Sequence, residues 1–418
     1  MAKMKESGIE WIGEIPEDWK ITKNKYLMKK IKQIREIWRG EDVLSLTVNG
    51  VIKRDLENPS GKMPTTFNGY QFVKPNNLLM CLFDIDVTPR CIGLIKDEGV
   101  CSPAYSQFTL INKNTNPNYI YYYYLNLDFT KELLHLAKNL RHSLGEEDFG
   151  QIPMVLPSLE TQKIIANFLD GKCTKIDSLR NDIQKQIEVL EQYKKSVITE
   201  AVTKGINPDV KMKDSGIEWI GKIPEHWEIH PIYYYFEERK HKNSLCKEQN
   251  LLSLSYGNII RKDINALGGL LPESFNTYNF IEKDDIVIRP TDLQNDKRSL
   301  RTGLSKEHGI ITSAYITLIP KKNVNSQYFH YLLHSYDIEK VFYNMGNGVR
   351  QGLNYSEFKK LLVISPTKEE QQNIVKYLDL KCASIDEIIK KKQQQLETLE
   401  EYKKSLIFEY VTGKKEVC

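Results

Sequence analysis

The stretch "SGIEWIGEIPEDW" (Ser7–Trp19) returns as "SGIEWIGKIPEHW" (Ser215–Trp227), with eleven of thirteen positions identical at an offset of 208 residues. The match extends outward from this motif. "VLSLTVNGVIKRD" (Val43–Asp55) lines up with "LLSLSYGNIIRKD" (Leu251–Asp263) at the same offset. "LRHSLGEEDFGQIPMVLPSLETQKIIANFLDGKCTKID" (Leu140–Asp177) answers "VRQGLNYSEFKKLLVISPTKEEQQNIVKYLDLKCASID" (Val349–Asp386) at 209. Finally "EQYKKSVITEAVT" answers "EEYKKSLIFEYVT", with nine of thirteen positions shared. An almost constant offset over the whole chain is the mark of a tandem duplication, and it sets the architecture before any local reading.

The agreement is uneven. Each copy is similar at its ends, whereas residues 56 to 100 and 264 to 310 share little beyond a Phe-Asn. A common scaffold that carries two different reading surfaces accounts for this pattern.

At 418 residues the chain exceeds one ordinary core, so two to three domains are expected. No stretch approaches 18 uninterrupted apolar residues, and the N-terminus "MAKMKESGIEW" lacks an apolar signal core. These features, with seven cysteines and no Cys-x-x-Cys pair, predict a cytoplasmic protein with reduced thiols and no structural zinc. The net charge of +4 leaves room only for a local basic surface toward nucleic acid.

Within each copy, short β-rich runs such as "DVLSLTV" and "DDIVIRP" mix with Gly/Pro/Asn turns and predict a compact α+β domain. The Tyr-rich "YIYYYYL" (119–125) and "YFHYLLHSY" (328–336) read as helices with a core-facing aromatic stripe. Helices begin at Pro157–Ser158 and at Pro366–Thr367, the second with a Thr367/Glu370 capping box. A longer helix of about 27 residues, ~40 Å at 1.5 Å per residue, is expected to follow each start. Ile176, Ile183, Leu190 and Val197 repeat every seven residues, as do Ile385, Lys392, Leu399 and Leu406. Leu179, Gln186 and Tyr193 flank the first series three residues on, and Ile388, Gln395 and Tyr402 the second. The two seams predict an intramolecular antiparallel coiled coil. "TKGINPDVKMKDSG" (203–216), with Gly205 and Pro208, reads as the helix stop and inter-copy linker.

The expected fold is therefore α+β: two globular domains joined by two long helices, with a pseudo-two-fold internal repeat. The domain boundaries are 1–157, helical region 158–205, linker 206–214, 215–366, and helical region 367–418. No phosphate-binding loop, Asn/Asp-Pro-Pro-Tyr methyltransferase signature, nucleophile elbow or His-Glu-x-x-His helix is present in the sequence. A binding protein without its own active site is the reading these absences favour.

The repeated "SGIEWIG", the junction "TKGINPDVKMKDSGIEWIG", "RPTDLQNDKRSLRTG" from Arg289 and "GNGVRQGLNYSEF" from Gly346 resemble the specificity (S) subunits of type I restriction–modification systems. So do "LPSLETQ" and "SPTKEEQQ", each heading a helix that ends in "YKKS…VT". The resemblance covers essentially the full length. It implies two target-recognition domains, each reading one half of an asymmetric split duplex-DNA target, separated by helices that act as a ruler. It implies two methyltransferase (M) subunits and restriction/translocase (R) subunits as partners, and no membrane. S-adenosylmethionine, ATP and Mg are implied for those partners, with no cofactor bound by this chain. The ~40 Å spacer puts the half-sites about one helical turn apart. A coiled-coil adaptor that does not read DNA, and a fused restriction–methylation enzyme, are the rivals.

Base readout needs Arg or Lys toward guanine and Asn or Gln toward adenine. In the second copy Arg289, Thr291, Asp292, Gln294, Asn295, Lys297, Arg298 and Arg301 pack these types into one loop. Arg141 and Arg350, with Gln351, precede each helical region and are candidates for phosphate contact. In the first copy, where "FDIDVTPRCIGL" replaces the basic loop, Lys53, Arg54, Lys62, Thr65, Thr66 and Arg90 are the candidates. Trp11, Trp19, Trp219 and Trp227 are expected in the core or at an M-docking surface. Cys173 and Cys382 are expected to be buried and unreactive.

Overall fold

The computed structural model describes the chain apart from residues 1–2, 60, 62, 138–141, 266–271, 273, 292, 294–299, 346–351 and 418. It divides into two compact units, one formed by Met1–Gln184 with Gln393–Cys418 and the other by Lys185–Lys392. The cut falls inside the two long helices, Leu159–Lys204 and Lys368–Val411, of 46 and 44 residues. The helices are thus much longer than the seam alone predicted, ~69 and ~66 Å at 1.5 Å per residue. The helix begun at each Pro-Ser or Pro-Thr start continues without a break into the heptad region. Each unit therefore combines a globular domain with half of each helix, a partition that cuts across the linear boundaries expected from sequence.

The same topology is written twice. In the first unit a four-stranded antiparallel sheet runs Ile92–Leu94, Leu78–Met80, Ser106–Leu110, Met28–Ile31. In the second the order is Thr302–Leu304, Ile286–Ile288, Ile316–Pro320, Phe236–Glu238. A hairpin crosses each sheet, Leu44–Thr47 with Gly50–Lys53 and Leu252–Ser255 with Asn258–Arg261. Pro117–Thr130 and Ser326–Ile338 are the Tyr-rich helices, each N-capped by an Asn side chain. Tyr119, Tyr123 and Tyr124, and Tyr328 and Tyr336, are wholly buried, as a core stripe requires.

The duplicated thirteen residues have a structural purpose. Strand Met4–Glu6 pairs with Glu14–Pro16, and the loop between them is closed by Ser7, whose amide donates to the Gly13 carbonyl. Ile9, Ile12, Ile15 and Trp19 are thereby turned into the core. Within this unit they meet the end of the second long helix: Ile407 and Val411 share their cluster, and Lys414 Nζ donates to the Glu14 carbonyl at 2.5 Å. In the other unit Ile220, Ile223 and Trp227 cluster with Ile198 and Val202 from the end of the first long helix. The hydroxyl of Tyr119 donates to the Val411 carbonyl at 3.1 Å, and that of Tyr328 to the Val202 carbonyl at 3.0 Å. Each repeated motif is a cap for a helix end that arrives from elsewhere in sequence.

The helix halves in each unit run antiparallel. In the first, Asp177 meets Lys403 at 2.7 Å and Arg180 meets Glu400 at 2.8 Å. In the second, Lys194 meets Asp386 at 2.7 Å and Lys392 Nζ donates to Gln186. Ile176, Val197, Ile385 and Leu406 are buried; Ile183, Leu190 and Leu399 are half-buried. The flanking column three residues on is a correction: Leu179, Tyr193, Ile388 and Tyr402 are exposed. Ile187 is buried instead, and Arg180 and Lys194 supply ion pairs across the helices, so the inner face follows the 3.6-residue period of a packed helix and not a strict heptad.

At the helix starts, Thr367 and Glu370 bond reciprocally as the capping box predicts. Ser158 caps the first helix by accepting the Thr161 amide at 3.1 Å. One step further on, Gln162 and Gln371 are buried and donate to the carbonyls of Pro157 and Pro366, tying each helix start to its domain.

Candidate nucleic-acid interface

The divergent middles sit on a shared foundation. Asp128 and Asp337, 209 residues apart, are almost wholly buried on the Tyr-rich helices. Asp128 accepts the Cys91 amide at 3.2 Å, and Asp337 accepts the Arg301 amide at 2.5 Å. In both units a buried carboxylate therefore fixes the strand by which the chain leaves the variable loop. Neither aspartate was singled out from sequence. The available signal was an Asp recurring in register inside two otherwise apolar aromatic helices.

Two of the predicted DNA-contacting arginines belong to this foundation. Arg301 is fully buried. Its guanidinium donates to the carbonyls of Thr291 at 2.5 Å and Arg289 at 3.4 Å, and lies 5.4 Å from the Tyr343 ring centroid. Arg90 is 3.0 Å from Asp128, stacks 4.7 Å over Phe129, and donates to the Val48 carbonyl at the hairpin tip. Both carry the loops from below and are not placed to reach a base, a correction to the sequence reading. The cause is a buried carboxylate or carbonyl set that a basic side chain satisfies better than water can.

Other candidates do face outward. Lys53 and Arg54 line one surface groove with Gly40–Val43, where Lys53 pairs with Asp42 at 2.7 Å. Thr65 and Thr66 are exposed, Thr66 accepting the Asn68 amide. Thr291 is exposed and Arg289 half-buried, its amide bonded to the Arg301 carbonyl. Asp292, Gln294, Asn295, Lys297, Arg298, Arg350, Gln351, Arg141 and Lys62 lie outside the described residues. The hairpin tips, passed over in sequence, present Val48 and Tyr256, 55% and 73% exposed. Matched scaffold positions thus carry chemically different tips.

Trp19 and Trp227 are core residues, and Trp11 and Trp219 pack edge-on against Tyr123 and Tyr336. Burial pushes the Cys173 thiol up to about 11 and raises that of Cys382, so neither is a thiolate at neutral pH. Burial also pulls His330 and His334 down to about 4, leaving both imidazoles neutral. Among the described residues no group of three or more His, Cys, Asp or Glu is arranged to hold a metal ion, and no helix is long and apolar enough to cross a membrane.

Fold and site together define a duplicated α+β binding protein whose two domains share a frame and differ where they present side chains. Residues 84–189 and 269–398, more than half the chain, match the family described as the type I restriction modification DNA specificity domain, and the chain belongs to that family. Its role is that of a specificity subunit of a type I restriction–modification system, the recognition component that is not itself catalytic. Two specificity subunits of Methanocaldococcus jannaschii type I restriction enzymes are similar over 96% of this chain. The MjaX subunit is 26% identical over 95% of its own length, and the MjaVIII subunit 25% identical over 93%. A chain from a solved structure addressing complex assembly and conformational transition of the type I R-M system shares the fold, at a TM-score of 0.68 and 13% identity, covering 96% of this chain and 99% of that one.

Proposed function

We propose that the two globular domains read the two unlike halves of a split duplex-DNA target, while the repeated scaffold offers equivalent docking surfaces to two methyltransferase (M) subunits and, through the assembled complex, to restriction (R) subunits. The observation that supports this is the contrast between matched anchors and unmatched tips. Asp128 and Asp337 hold the loop exits alike, whereas Lys53, Arg54 and Val48 in one domain stand opposite Arg261, Lys262 and Tyr256 in the other. An adaptor that recruits identical partners has no use for such divergence. A reader of two different half-sites requires it, because base identity is recognised by side chains at groove edges while phosphate contacts only position the protein.

S-adenosylmethionine belongs with the M subunits, and ATP and Mg with the R subunits, in this reading; the complex works in the cytoplasm. The test is single-molecule sequencing of genomic DNA from cells that co-express this chain with its neighbouring methyltransferase subunit. Adenine methylation in one asymmetric, split motif, lost when this chain is omitted, is the expected result. A stable complex that methylates no specific motif overturns the reading and leaves the adaptor.

A further inference from the structure

Within the second unit, a cavity of about 620 Å³ opens between the hairpin tip at Tyr256–Ile259, the Tyr-rich helix Ser326–Ile338 and the paired helix segments. His330 and His334 stand on its wall, one helical turn apart, with ring centroids 6.3 Å apart. Each has a buried nitrogen without a hydrogen-bond partner, Nε2 of His330 and Nδ1 of His334. The other side of His330 is engaged by a hydrogen bond to the Thr302 backbone, which fixes its ring and leaves Nε2 as the nitrogen with the free lone pair.

The fold does not explain these histidines. The equivalent positions of the first unit, 209 residues earlier, are Tyr121 and Leu125, on a helix of the same kind packed in the same way. A buried nitrogen without a partner costs about 1–3 kcal/mol, so two of them retained at positions that need none point to a ligand. Two neutral imidazoles with free lone pairs at i and i+4 are ligands for a borderline divalent metal ion. The acidic groups beside them are already engaged: Asp379 accepts from Tyr331 at 2.7 Å and Asp386 is held by Lys194.

We propose that His330 and His334 form a two-imidazole site for a divalent transition-metal ion such as Zn(II), completed by water. Because no third protein ligand closes on the pair among the described residues, its affinity is that of an accessible site and not of a structural zinc centre.

The experiment uses the untagged full chain, stripped of metal, titrated with zinc chloride against a chelating indicator and then with cobalt chloride. One zinc ion per chain is expected, bound at least tenfold more tightly than by the His330→Tyr/His334→Leu variant, which carries the first unit's own residues. Each single variant, His330→Gln and His334→Gln, should lose most of that difference, which guards against misfolding of the double variant. Cobalt should give weak visible bands without thiolate charge transfer. Equal zinc affinity in wild type and variants overturns the site, as does a thiolate charge-transfer band, which would move the metal to a cysteine.

Discussion

Gly309 shows how tightly the variable hairpin is seated, and replacing it by alanine tests the seating directly. A Cβ there would lie 2.5 Å from the Asn250 carbonyl and 2.8 Å from Leu252 Cδ1, where real contacts stay beyond 3.0 Å. The carbonyl must retreat by at least about 0.5 Å. It cannot do so freely, since Asn250 is pinned by its side-chain bonds to Glu307 and the His308 carbonyl. That same carbonyl accepts the Ile310 amide at 2.9 Å, and a retreat of this size stretches the bond past useful length, a loss of about 1 kcal/mol. Displacing the buried Leu252 adds about 1–3 kcal/mol of overpacking. The sum, roughly 2–4 kcal/mol, falls on the hairpin that carries Tyr256 and Arg261. Urea unfolding should register this loss, and methylation directed by the second half-site should fall while M-subunit assembly persists. Gly99→Ala, where the Asp42 carbonyl is closer still, should do the same for the first half-site. Unfolding midpoints within error of wild type for both variants would refute the close-approach argument.

Gly171→Ala gives the opposite sign. This glycine lies inside the first long helix, and a Cβ there meets nothing within 4 Å, so a stabilisation of about 0.5–1 kcal/mol is expected by urea denaturation. Thr367→Ala removes one half of the capping box and should cost ~1 kcal/mol, visible as earlier hydrogen exchange of the first turn of the second long helix. Arg301→Met strips donors from two carbonyls and should cost about 2–4 kcal/mol, with recognition lost at one half-site only in a methylation assay. His330 and His334 stay neutral in the native state down to about pH 4, whereas the unfolded chain protonates them near pH 6.5. Stability is therefore flat above pH 6.5 with respect to these groups and falls on acidification between pH 6.5 and 4, by at most on the order of 3 kcal/mol each. In metal-free buffer the His330→Tyr/His334→Leu variant should lack this acid-side slope in urea titrations.

Much of the architecture is legible without coordinates. The 208-residue repeat fixes two copies of one α+β design, and the Pro-Ser and Pro-Thr starts, the capping box and the aromatic stripes are local patterns whose physics acts over a few residues. The divergence of residues 56–100 and 264–310 locates the variable surface for the same reason, since it is a comparison of the chain with itself.

The site is less legible. Arg90 and Arg301 look like surface cations because nothing nearby in sequence announces their buried partners; Asp128 is 38 residues away from Arg90, and Asp337 is 36 away from Arg301. The exposed column of Leu179, Tyr193, Ile388 and Tyr402 shows the same limit, because a seven-residue repeat and a 3.6-residue face diverge over a long helix and packing decides between them.

What the sequence by itself determined is the repeated unit, its scaffold and the position of its variable loops, each set by short-range chemistry written twice. Only the tertiary structure decided which helix end completes which domain. "EQYKKS" and "EEYKKS" offer nearly the same side chains, so either could seat against Trp19 or Trp227 by local chemistry alone. The unit made of Met1–Gln184 closes on residues 393–418, more than two hundred positions away, because the antiparallel ion pairs and the buried Ile407 and Val411 bring that segment home. That choice is a matter of long-range geometry, which no local pattern carries.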